Sequence, residues 1–147
     1  MCCLRWSLLD VECVLLVAAV FGSQEFASSR EPLVVTVCQV IARAEHYRGK
    51  VLKVSASVMS DGLEHTVLVD QSCPGSGLTL EFPAKPPEVP GVAALQEAIF
   101  AKQGRPGTLD KDVSAVFTGA FEWRPKESSK WALSVTRVSD VQWKFKE

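Results

Sequence analysis

TVCQVIARAEHYRGKVLKVSASV (Thr36–Val58) changes its apolar period halfway along, and that change decides the fold. Thr36 can cap a helix, and Gln39 three residues later completes a capping box. Val37, Val40, Ile41 and Ala44 then recur at helical spacing as one apolar stripe. Gly49 supplies a turn, so the helix ends near Tyr47. From Val51 the period is two: Leu52, Val54, Ala56 and Val58 point one way, and Lys53, Ser55 and Ser57 the other. A short helix therefore leads straight into a long, half-buried strand.

Working outward, Asp61-Gly62 marks a turn and TVLVD (66–70) reads as a second strand. QSCPGSG (71–77) is a loop by composition. LTLEF (78–82) is a third strand, with Leu78, Leu80 and Phe82 inward. The four prolines of PAKPPEVPG (83–91) forbid both a helix and a strand interior. VAALQEAIFAKQG (92–104) is a second helix with Val92, Leu95, Ile99 and the Lys102 stem on its inner side, closed by Gly104. After the loop RPGTLDKD, VSAVFTGAFEW (113–123) is a long fourth strand carrying Phe117, Gly119, Phe121 and Trp123 on one face. RPKESS connects it to a fifth strand, KWALSVTRVSDV (130–141). A glycine inside a long strand permits the sharp bend of a barrel corner. The order predicts a mainly β domain with two helices: a five-stranded OB-like Greek-key barrel, one helix before strand 1 and another between strands 3 and 4. The competing arrangement is a flat antiparallel sheet with both helices on one face, which would leave an edge strand unprotected.

The first residues differ in character. CVLLVAAVFG (13–22) is ten apolar residues, too few for the about 20 that cross a bilayer but within the about 7–15 of a secretory signal. Small residues follow, so residues 1–29 are expected to be a leader and 33–147 the barrel domain. Arg5 is opposed there by Asp10 and Glu12, an atypical start for a leader, and a buried helix of the domain is the other reading. Export makes the setting periplasmic, and without a leader the chain is cytoplasmic. Beyond the leader only Cys38 and Cys73 remain, a pair that suits one disulfide in an exported domain. Closing that loop contributes roughly 3–4 kcal/mol. The alternative is two thiols packed as small apolar groups. The chain of 147 residues has a formal charge of −1, and residues 30–147 carry 15 basic against 14 acidic side chains. The balance gives no domain-wide footprint for nucleic acid or anionic membrane.

On Thr36, Cys38, Tyr47, Gly49, Lys50 and Val54, the opening stretch resembles the start of small bacterial OB-like domains, many of them exported. These begin with a Cys-containing helix, a Tyr-or-Phe-x-Gly-Lys turn and a Val-x-Val strand. Asp70 to Cys73 (DQSC) resembles a second recurring feature. The likeness covers most of residues 33–143 in layout but only about thirty residues in specific letters. Ala56 departs from it, standing where glycine is common. The resemblance implies the fold and a cell-envelope setting, and it carries no catalytic residues.

The chemistry-bearing residues point to binding more than to reaction. His46 and His65 lack metal-ligand spacing with each other or with cysteine, so no metal and no cofactor are expected. Ser76 sits between glycines without the surroundings of a nucleophile elbow. EWRPKESSKW (122–131) gathers Arg124, Lys126 and Lys130 between Trp123 and Trp131, in a hairpin that OB folds use for oligonucleotides or oligosaccharides. Against this, Trp123 and Trp131 could pair across the hairpin and close the barrel end. The ligand-binding candidates are Lys53, Ser55, Ser57, Trp123, Arg124, Lys126, Lys130 and Trp131. They support a non-catalytic envelope module for a small ligand, a glycan or a protein partner. The alternative is a single-stranded nucleic-acid binder using the four basic residues.

Overall fold

The computed structural model describes residues 31–62, 65–82, 88–100 and 104–147. The expected leader and the Lys102 stem lie outside the described residues. A three-residue strand, β1 (Leu33–Val35), comes first and pairs in parallel with the next strand, Leu33 opposite Leu52 and Val35 opposite Val54. It is too short, and at Leu33 and Val34 too exposed, to show an apolar pattern.

The capping box forms as the sequence predicts. Gln39 N–H donates to Thr36 Oγ1 at 3.1 Å, and Thr36 N–H donates to Gln39 Oε1 at 3.0 Å. The helix behind it is divided, however. α1 (Val37–Ala42) stops at Arg43, whose φ of −133° and ψ of 42° are not helical, and α2 (Ala44–Tyr47) restarts beyond it. The described residues thus hold three short helices where the sequence predicts two. The Arg43 N–H is shared between the carbonyls of Gln39 and Val40, so the break leaves no orphaned donor there.

Tyr47–Lys50 is a type II turn. Arg48 has φ −50° and ψ 126°, Gly49 has φ +71°, and Lys50 N–H donates to Tyr47 O at 3.0 Å. Only the third residue of such a turn needs a positive φ, which is why glycine stands in the Tyr-x-Gly-Lys sequence. The turn is tied to the barrel by paired backbone bonds, Gly49 N to Phe121 O and Phe121 N to Lys50 O, both 2.9 Å.

The remaining strands are β2 (Val51–Ser60), β3 (Thr66–Val69), β4 (Gly77–Glu81), β5 (Lys111–Trp123) and β6 (Trp131–Phe145). β2 pairs with β3, β3 with β4, β4 in parallel with β6, and β6 with β5. β5 then returns to β2 from Val51–Ala120 to Val58–Val113. That last ladder closes the sheet, and strand order 2-3-4-6-5-2 is the OB arrangement with β1 added. The flat sheet is excluded. Leu52, Val54, Leu68, Leu78, Phe117, Phe121, Leu133 and Val135 are fully buried inside.

Two bulges in β6 bend the sheet shut. Asp140 and Val141 stand opposite the single Ala115, and Thr136 is an extra residue between partners of Thr118 and Gly119. Asp140 takes φ +51° at the first bulge. At the second, a Cβ on Gly119 would run into the Ser134 carbonyl, so the glycine expected at a corner is demanded by the approach of a neighbouring backbone. α3 (Val92–Phe100) plugs one end of the barrel with Val92, Leu95, Ala98 and Ile99. Lys111 is fully buried below it, donating from Nζ to the Ile99 carbonyl at 3.1 Å near the helix end.

Candidate functional site

The register of the closed sheet arranges the outward side chains of β2 in rows with those of its neighbours. Val69, Ser57, Ser114 and Gln142 lie side by side across β3, β2, β5 and β6. Further along β2, Ser55 lies beside Val116, and Lys53 beside Thr118, which pairs with Arg137. Where the row meets the barrel end it forms a groove of roughly 520 Å³, bordered by Met59, Gln71, Asp112 and Lys144. Ser57, Gln71, Ser114 and Gln142 spend no side-chain hydrogen bond on any described residue, so two hydroxyls and two carboxamides face the groove uncommitted. Met59, 59% exposed, and Val69 give it an apolar side. Lys146, at its edge, donates to the carbonyls of Thr108 (2.8 Å) and Leu109 (3.3 Å).

The other candidate residues sit at the far end of β5. Trp123 is nine residues from Ser114, about 30 Å of strand. The structure therefore brings Lys53, Ser55 and Ser57 onto one surface and the hairpin residues onto another. Trp123 and Trp131 are direct cross-strand partners, half-buried and packed against the core, as the barrel-closing reading requires. Lys126 and Lys130 are exposed on the connection.

Arg124 is occupied. Its two terminal nitrogens each meet a Glu81 oxygen at 2.9 Å, its Nε donates to Glu122 at 2.9 Å, and NH2 also meets Glu122. Glu127 lies 3.8 Å away. Hydrogen bonds to Glu81, then to Glu122, push the guanidinium above its ordinary range. The residue clamps β4 to the β5–β6 hairpin. Periodicity gives no hint of this, because Glu81 and Arg124 are 43 residues apart.

Between the Trp pair and the α1–α2 break lies a broad cleft of roughly 660 Å³ lined by Ile41, Ala42, Arg43, Ala44, Glu45 and His46. His46 accepts from Lys50 Nζ at 3.2 Å through Nε2, and its ring meets Tyr47 edge-on. His65 is exposed at the opposite end of β2. No group of three His, Cys, Asp or Glu among the described residues could hold a metal ion. The Cys38 and Cys73 sulfurs are 2.13 Å apart, so the QSCPGSG loop is tied to α1 and Cys73 is not a free thiol. No helix among the described residues is long and apolar enough to cross a membrane. Comparison with protein-family models, with curated proteins and with solved structures returns no match.

Proposed function

We propose that this chain is a non-catalytic binding module of the bacterial cell envelope that holds a glycan in the groove over Ser57, Ser114 and Gln142. The observation that carries the reading is the in-register row of uncommitted hydroxyl and carboxamide groups beside Met59 and Val69. A sugar ring presents hydroxyls around an apolar C–H face, and such a surface complements both without a net charge. The Cys38–Cys73 bond supports the envelope setting, since disulfides persist in oxidising compartments. Single-stranded nucleic acid suits the site less well, because Arg124 is already neutralised by carboxylates.

The test is titration of isotope-labelled protein with soluble N-acetylglucosamine oligomers. The amides of Ser57, Ser114 and Gln142 should shift, and Ser114→Trp should abolish the shifts while leaving the fold intact. Silent groove resonances at millimolar oligomer, or oligonucleotide binding that fades steeply with salt, would remove the proposal. Fractionation with amino-terminal sequencing tests the compartment: an intact Met1 on a cytoplasmic protein defeats the envelope assignment.

A further inference from the structure

The cleft beneath the helix break shares no lining residue with the groove. The cleft lies between the Trp123–Trp131 pair and the break, where Arg43 is flanked by the exposed Ala42 and by Ala44, whose methyl group is buried in the core. Ala42 offers only a methyl group on this side of the cleft. The indoles are half-buried and border open volume. Arg43 and Glu45 stand on the rim, both exposed, and neither spends its charged group on another described residue. The nearby ionic groups that are committed, Arg124 to three glutamates and Lys50 to His46, show that the hairpin end has partners to offer.

Resting on the glycan reading above, we propose that this cleft is a second saccharide subsite, so that the module grips one long glycan, or two neighbouring ones, at both ends of its β5–β6 ribbon. Indole surfaces take the apolar face of a pyranose ring. The Arg43 guanidinium donates to ring hydroxyls and the Glu45 carboxylate accepts from them. A charge pair of opposite sign suits a neutral sugar better than an anionic one, for which Glu45 would be repulsive.

The experiment follows the indole Nε1–H resonances of Trp123 and Trp131 in the full-length protein during titration with N-acetylglucosamine trimer, alongside the Ser57, Ser114 and Gln142 amides. Both sets are expected to shift. Arg43→Ala and Glu45→Ala, at exposed positions that keep the fold, should weaken the indole response at least several-fold and leave the groove response unchanged. Retention on a long polymer should exceed that on trimer by roughly tenfold or more, and fall to trimer level in Arg43→Ala. Indoles that stay fixed while the groove saturates overturn the subsite and leave the proposed function standing. Indoles that move while the groove is silent overturn the groove assignment and keep the subsite. Silence in both overturns both.

Discussion

Replacing Cys38 and Cys73 together by alanine removes the only covalent link, among the described residues, between α1 and the loop joining β3 to β4. The two residues are 35 apart in sequence. Releasing a loop of that length returns roughly 4 kcal/mol of chain entropy to the unfolded state. Both cysteines are half-buried, so truncating them opens little core and the cross-link dominates the expected loss. A urea slope of about 2 kcal/mol per molar, ordinary for a domain this size, converts the loss into a midpoint lower by about 2 M. Intrinsic tryptophan emission reports the transition. The unsubstituted protein reduced with dithiothreitol is the control, since it keeps both sulfur atoms and loses only the bond. It should unfold near the midpoint of the double variant. If the double variant unfolds within about 1 kcal/mol of the oxidised protein, either the bond does not form or the unfolded chain is already compact enough to need no tether.

Gly119→Ala places a methyl against the Ser134 carbonyl and the Val135 Cα, which are backbone and cannot swing aside. A loss of roughly 1–3 kcal/mol, read as a lower thermal midpoint, is expected; an unchanged midpoint would show that the corner opens freely. Arg124→Met leaves Glu81 and Glu122 facing each other, and should cost about 1 kcal/mol in urea unfolding at low salt, with Arg124→Lys recovering only part because it lacks the bidentate fork. The Arg105 backbone N–H, 2.8 Å from Oδ2, holds the Asp110 carboxyl below its ordinary range. A lowered folded-state value stabilises the protein above the unfolded carboxylate value of about 3.9, and that contribution is lost as pH falls below it through the folded value. Asp110→Asn should therefore flatten the acid limb of a midpoint-against-pH curve; an unchanged acid limb would assign the slope to other carboxylates.

The parts of the fold legible in sequence are those fixed by local chemistry. Alternation at Leu52, Val54, Ala56 and Val58, the Thr36–Gln39 box, the Gly49 turn and the inward Val92, Leu95 and Ile99 of α3 need only neighbours within a few residues, and each is found. β6 is legible only in part. It was expected to end at Val141 and runs to Phe145, and its inward residues Val135, Val138 and Val141 are spaced by three because a bulge falls in each interval. That spacing is a readable sign of a bulge, although simple alternation predicts a continuous strand there. The break at Arg43 has no signal in its neighbours, and Lys111 looks like a loop residue until the Ile99 carbonyl above it is known. The groove belongs to the same class. The outward phase of Ser57 is legible locally, but Ser114 and Gln142 join it only through register between strands far apart in the chain.

The ladder that returns β5 to β2 joins residues as distant as Val51 and Ala120, 69 positions apart. A chain halted before residue 113 lacks the paired residues of β5 and all of β6, so one flank of β2 has no partner and the barrel cannot close. Sealing of the interior therefore waits for the two final strands, and closure comes late in synthesis.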